Sequence, residues 1–341
     1  MTETDRIISW RPHRWALATY LILGGLRLVR PLDVEEAIAL TRTDLGFGDW
    51  LHFGYSPGYL LILDLWSGLT TSPAWLHALG WVCGLLALGL APRVLRGLGG
   101  VHASAGAMWF LCCSPFVVDH LVRVTPSSLA LLTIVGSSLC FLEYLRAGDR
   151  TWLGGWTLFS LGALSLHGGL YVLPLLQSAC MLASRERTHA RQQDWWIAQI
   201  APLGLFIYLF ADPLSRFLQL RLTQVAAPAQ VLEGFGRIVE GVTLSGAIGA
   251  AALILFLVVS GLRVQTGNRR DPRRLLSWIG WLIPGAIWLL WLPYPFYALI
   301  AAPFLAAIIS GGVRSYPQWG RQVLWTAIFM LYAWGHVTVL R

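Results

Sequence analysis

Between Arg27 and Tyr59 the chain reads RLVRPLDVEEAIALTRTDLGFGDWLHFGYSPGY, with five acids (Asp33, Glu35, Glu36, Asp44, Asp49) and three arginines (Arg27, Arg30, Arg42). Carboxylates accept protons in general-base chemistry and guanidiniums hold phosphates, so these are the residue types of a reactive surface. An ordinary solvated loop uses the same types. What distinguishes this one is its continuation: the turn Tyr55 to Tyr59 leads into LLILDLW, an apolar, aromatic stretch too short to cross a bilayer. A further acid, Asp119, follows Pro115 and is trailed by His120 and Arg123. An ionisable group so near an apolar span is costly without a partner or a task, and both a salt bridge with Arg123 and a functional role are open for it.

Composition sets the elements that must position these groups. With 56% apolar residues, 12% charged residues and a mean hydropathy of +0.61, the chain has more apolar surface than one water-soluble core can hide. It is expected to be an all-α, polytopic helical membrane protein. Spans of roughly 17 to 25 apolar residues fall at about 15–31, 75–92, 101–118, 126–145, 152–166, 168–184, 195–211, 241–262, 275–292, 295–313 and 322–340, about eleven in all. The pair 152–166 and 168–184 meets at His167-Gly168-Gly169, and 57–70 is placed as a helix lying in the interface within the first outside loop, 32–74. Arg6, Arg11 and Arg14 precede a first span that has no small-residue cleavage site behind it, which predicts an uncleaved anchor.

All of the 25 basic residues are arginine. With a cytoplasmic N-terminus, most of them fall in inside loops, among them Arg93, Arg146, Arg187, Arg270, Arg314 and Arg321. That predicts an inner-membrane protein with the acidic loop 32–74, the connection 114–125 and the loop 212–240 outside. Because the arginines are parcelled among short loops, no contiguous basic patch faces a nucleic acid. The cysteines Cys83, Cys112, Cys113, Cys140 and Cys180 stand in apolar stretches and read as small apolar residues. His77, His102 and His336 have no partner histidine at metal-binding spacing, so no metal site is expected. His167 reads as a helix-junction hydrogen bond, and Glu143 with Arg146 as a local ion pair.

The order of these segments resembles the GT-C membrane glycosyltransferases, in particular the relatives of protein O-mannosyltransferases and aminoarabinose transferases that use polyprenyl-phosphate sugars. LDVEEA stands where that family has an acidic pair in its first outside loop, and YSPGYLLILDLW where it has a Pro-led interfacial helix. SPFVVDHLVRVTPSSLALL matches its later outside segment, and PYPFYALIAAPFLAAIISGGV is a weaker echo. The likeness covers about Trp15 to Leu182, within a GT-C-like module of 1–211; the outside loop 212–240 and a C-terminal helical region 241–341 follow.

The resemblance implies an integral-membrane transferase that moves a sugar from a polyprenyl-phosphate donor to an acceptor on the non-cytoplasmic face. It would place the base at Glu35 or Glu36, with Asp33 close by and a second acid at Asp119. For the donor phosphate it implies Arg27 and Arg30, with Arg216 and Arg221 as weaker candidates and Tyr297 where the family often has an Arg-Tyr pair. The cofactor is left open, and membrane lipids are expected partners. Departures from the family pattern, such as Glu35-Glu36 for Asp-Glu and Phe296-Tyr297 for Arg-Tyr, point to an alternative. In it the chain is a catalytically inactive GT-C-like structural or assembly subunit of a larger membrane complex, for example an energy-converting one, with protein partners.

Overall fold

The computed structural model describes residues 3–52, 56–183, 189–222 and 295–340, with Ser260 and Leu276 between the last two ranges. The expected spans at 241–262 and 275–292 lie outside them. Every regular element among the described residues is helical: α1 (Glu3–Gly25), α2 (Val34–Thr41), α3 (Phe47–His52), α4 (Pro57–Ser67), α5 (Pro73–Cys113), α6 (Pro115–Val122), α7 (Ser127–Ala147), α8 (Arg150–Leu166), a 3₁₀ turn (Gly168–Tyr171), α9 (Val172–Ala183), α10 (His189–Leu222), α11 (Pro295–Arg314) and α12 (Gln318–Leu340). Two helices in that set, Pro73–Leu98 and Ser127–Ala147, are long and apolar enough to cross a membrane, and a third crossing arises if the bent pair Ser104–Cys113 and Pro115–Val122 counts as one.

Two compact units share the chain. One comprises Leu26–Ala87 and His120–Ala227. In it α7 is buried along most of its length and packs on α8. The two are joined by a short reversal: Gly148 takes up the left-handed conformation (φ 70°), its N–H closes on the Tyr144 carbonyl at 2.8 Å, and Asp149 then caps α8 by accepting from Thr151 N–H at 2.9 Å. A side chain at Gly148 would be strained in backbone and would also strike the Arg191 guanidinium. Trp156, Trp195 and Phe141 form the aromatic centre, with the Trp156–Trp195 ring centroids 4.5 Å apart. Their polar ends are satisfied across helices: Trp156 Nε1 donates to Gln177 Oε1 at 2.6 Å and Trp195 Nε1 to Ser178 Oγ at 3.2 Å. The helix break expected at His167 is present, with α8 ending at Leu166 and α9 beginning at Val172. Glu143 and Arg146 form the expected local pair at 3.7 Å.

The other unit comprises Met1–Gly25, Leu88–Asp119 and Pro228–Arg341. Here α1, the part of α5 beyond its break at Gly100 (φ 81°), α11 and α12 pack together. His13 Nε2 lies 3.1 Å from Ser104 Oγ, His336 Nε2 2.9 Å from the Cys113 carbonyl, and the Phe110 and Tyr332 rings meet edge-on.

Three boundaries differ from the sequence-based reading, each at a glycine or proline. The span predicted at 15–31 ends on the Gly24-Gly25 pair, so Arg27 and Arg30 sit beyond the helix. The span predicted at 101–118 stops at Cys113, and α6 leaves it bent by 62°. Pro115 has no N–H to continue the helix and disfavours helical backbone at Ser114. At Asp212-Pro213 the opposite happens: α10 runs on to Leu222 through the start of the expected loop 212–240. Within an apolar bundle a helix tolerates such a proline when neighbouring groups take up the freed carbonyl.

Candidate functional site

The acidic stretch folds as helices, and its local code is a capping box. Asp33, the N-cap of α2, accepts from Glu36 N–H at 2.9 Å, while Glu36 Oε2 accepts from Asp33 N–H at 2.8 Å. This reciprocal pair fixes the carboxylate of Glu36 and points it inward, where its side chain is fully buried.

Three groups from distant segments converge on the other oxygen, Oε1. Arg30 Nη2 donates to it at 2.7 Å, Val124 N–H at 2.9 Å, and His77 Nε2 lies 3.1 Å away. On its far side His77 Nδ1 is 3.1 Å from the Leu28 carbonyl, so the ring spans from the turn after α1 to the carboxylate. Gly80, one turn along α5 from His77, makes the approach of 121–124 feasible: a Cβ there would lie 2.7 Å from the Leu121 carbonyl oxygen and 3.0 Å from that of Arg123. The absent side chain thus lets the backbone of 121–124 lie against α5 and bring Val124 N–H to Glu36.

Burial alone would push the Glu36 carboxyl up, but the hydrogen bonds from His77 and from the Asp33 and Val124 backbones, together with the Arg30 charge, more than offset it. They hold its pKa at about 2, against an ordinary 4.5. A carboxylate held this strongly in its charged form is a poor proton acceptor. Its neighbours differ. Glu35 projects from α2 as an exposed side chain. Asp33 keeps 37% of its side chain exposed, and its Oδ2 pairs with Arg123 Nη1 at 3.2 Å. Arg123, which the sequence offers as a partner for Asp119, thus bridges to the acidic turn of the first loop.

Of the other sequence-derived residues, Arg27 is buried beside this cluster's turn, and Arg30 is part-exposed. Asp119 is buried on α6 and belongs to the other compact unit. Arg216 and Arg221 stand on α10 and Tyr297 on α11, with their side chains outside the described residues. The short helix expected at 57–70 is present as α4, whose Tyr59, Leu60 and Leu63 are buried while Leu61, Asp64 and Leu65 are exposed. It packs on α8 where Gly58 meets Ser165. Its end is closed by a two-way clasp: Trp66 Nε1 donates to the Trp75 carbonyl at 2.8 Å, Trp75 Nε1 to the Trp66 carbonyl at 3.0 Å, and the two rings stack at 4.3 Å.

His77 was invisible to spacing rules because its partner is 41 residues away. The D-x-x-E pattern at Asp33 and Glu36 was the legible signal that these two carboxylates bind backbone first. Among the described residues no group of three or more His, Cys, Asp or Glu side chains is arranged to hold a metal ion, and all five cysteines are free and buried.

The chain matches no protein-family model and no curated protein. Among the solved structures that it resembles are two glycosyl- or oligosaccharyl-transfer proteins from different organisms, ArnT and an oligosaccharyltransferase. ArnT from Cupriavidus metallidurans, bound to undecaprenyl phosphate, aligns with a TM-score of 0.60 at 14% identity, over 96% of this chain and 64% of that one. The likeness is one of fold. The Archaeoglobus fulgidus oligosaccharyltransferase, tethered to an acceptor peptide containing the NVT sequon, aligns with a TM-score of 0.56 at 9% identity, over 96% of this chain and 56% of that one. The chain spans less than two thirds of the length of either protein.

Proposed function

We propose that the protein is an integral-membrane glycosyltransferase that moves a sugar from a polyprenyl-phosphate donor to an acceptor on the non-cytoplasmic face. The observation that carries this reading is the acidic turn. Asp33 holds one oxygen on the α2 backbone and leaves the other part-exposed next to Arg123, over a buried anchor, Glu36, that keeps the turn rigid. In the reaction an acceptor hydroxyl or amine attacks the anomeric carbon, its proton passes to a carboxylate, and the carbon–oxygen bond to the lipid phosphate breaks with both electrons leaving on the phosphate. Asp33 is assigned as the proton acceptor and the exposed Glu35 as its nearest substitute. Glu36 positions both. Guanidiniums suit the phosphate that departs, and Arg30, Arg27, Arg216 and Arg221 are the groups assigned to it.

One observation favours a second reading. Asp33 and Glu36 each face an arginine, Arg123 and Arg30, which is the pattern of a GT-C-like subunit whose acids have become internal ties. Purified protein mixed with labelled polyprenyl-phosphate sugars and membrane-lipid acceptors separates the two. Transfer by the wild type that is lost in Asp33→Asn supports the enzyme. No transfer, with co-purification of fixed protein partners, supports the subunit.

A further inference from the structure

Within the unit built from α1, the later part of α5, α11 and α12 lies a cavity of ≈ 970 Å³ that the transfer reading does not use. Its walls come from matched helical faces. Along α5 the lining positions Ala105, Trp109 and Cys113 recur every four residues, and along α12 so do Arg321, Trp325 and Phe329. Residues spaced this way share one side of a helix, so each helix presents a stripe to the hollow. The stripes meet in an aromatic wall: Phe329 stands edge-on to Trp109 at 5.7 Å and stacks on Trp325 at 5.8 Å.

The wall is apolar for most of its length and basic at one place. Arg314, in the last turn of α11, and Arg321, in the first turn of α12, both line the cavity, and both are exposed. Arg321 Nε donates to the Tyr316 carbonyl at 2.7 Å, which fixes the plane of its guanidinium. Among the described residues neither arginine is paired with a carboxylate. Two guanidiniums beside an apolar hollow, without an acid, are complementary to one kind of molecule: an anionic headgroup that carries hydrocarbon chains.

We propose that this cavity seats an anionic diacyl phospholipid, its phosphate on Arg314 and Arg321 and an acyl chain along Trp109, Trp325 and Phe329. The volume is near the upper end of the roughly 300–1,000 Å³ usual for bound small molecules, enough for an acyl chain. The arginine bias of the loops sets Arg314 and Arg321 at the cytoplasmic surface, the side on which anionic lipids attract basic residues. A polyprenyl-phosphate donor for transfer on the other face would not be held here. The site therefore stands apart from the transferase reading, and its failure would leave that reading untouched.

The test uses the full chain in nanodiscs of phosphatidylcholine, alone or mixed with phosphatidylglycerol, read by thermal unfolding and by the lipids retained in native mass spectrometry. Phosphatidylglycerol is expected to raise the Tm saturably and to be retained. Arg314→Gln with Arg321→Gln should weaken that retention by roughly tenfold or more, the loss of charge-assisted contacts, while the Tm in phosphatidylcholine stays unchanged. Ala105→Leu, which narrows the cavity, should lower retention with both arginines in place. Equal retention of phosphatidylcholine, undiminished phosphatidylglycerol binding in the double variant, or displacement by undecaprenyl phosphate at equal concentration would each overturn the assignment.

Discussion

Val124 N–H donates to Glu36 Oε1 at 2.9 Å across 88 residues of sequence, and this one bond ties the first acidic loop to the segment that follows α6. Because Arg30 and His77 share the same oxygen, Glu36 is the point where four stretches of chain are held together.

Glu36→Gln should destabilise the protein by roughly 3–5 kcal/mol, since it removes the buried charge that Arg30 Nη2, Val124 N–H and His77 all meet. Thermal unfolding in detergent measures this, and an unchanged Tm would show that the cluster is not a structural tie.

The same carboxylate makes stability depend on pH in a defined window. Its pKa is lowered from 4.5 to about 2, so its contribution is fully present above the unfolded-state value and is lost as pH falls from about 4.5 towards 2. The loss amounts to about 3 kcal/mol at the acid end. Denaturation followed between pH 6 and 2.5 should show this slope in the wild type and a flatter one in Glu36→Gln.

Asp33→Asn separates cap from chemistry. Asparagine caps a helix about as well as aspartate, so the Tm should hold, while loss of a proton acceptor should lower transfer by roughly 10²- to 10⁴-fold. Glu35→Gln, at an exposed position, should have a smaller effect on transfer and none on stability. Wild-type transfer rates in Asp33→Asn would remove Asp33 from the mechanism.

Gly80→Ala tests the close approach that seats Val124. The added methyl meets backbone carbonyls of 121 and 123, which cannot rotate away as a side chain would, so a cost of about 1–3 kcal/mol is expected. Substituting Gly89 by alanine, where nothing lies within 4 Å of the added Cβ, is the control and should be near neutral.

Trp66 and Trp75 should behave as one unit. Either Trp→Phe change removes one indole hydrogen bond and should cost about 1 kcal/mol, and the double variant should cost less than the two together because the stack and the second bond are already weakened. Strict additivity would show that the two-way clasp is not cooperative.

Several of these features were legible in the chain itself. An apolar content of 56% in long continuous runs required helices in a membrane, because in hydrocarbon only helices and closed barrels satisfy backbone polar groups, and barrel strands alternate apolar with polar residues. The Pro57-led amphipathic helix, the break at His167 and the Glu143–Arg146 pair rest on local rules about proline, glycine and helical spacing. Likewise the D-x-x-E of Asp33 and Glu36 encodes a capping box.

What the tertiary structure alone decided is which acid is buried and what it meets. Glu35 and Glu36 are chemically alike and adjacent, yet the 100° step between successive helical residues sends one to solvent and the other into contact with His77 and Val124. No local rule links residues 36, 77 and 124. Their meeting depends on how α2, α5 and the segment after α6 pack, and on Gly80 leaving room for a backbone to pass. Charge preference follows from that packing: the same side chain type is an exposed carboxylate at 35 and a buried, strongly acidic anchor at 36.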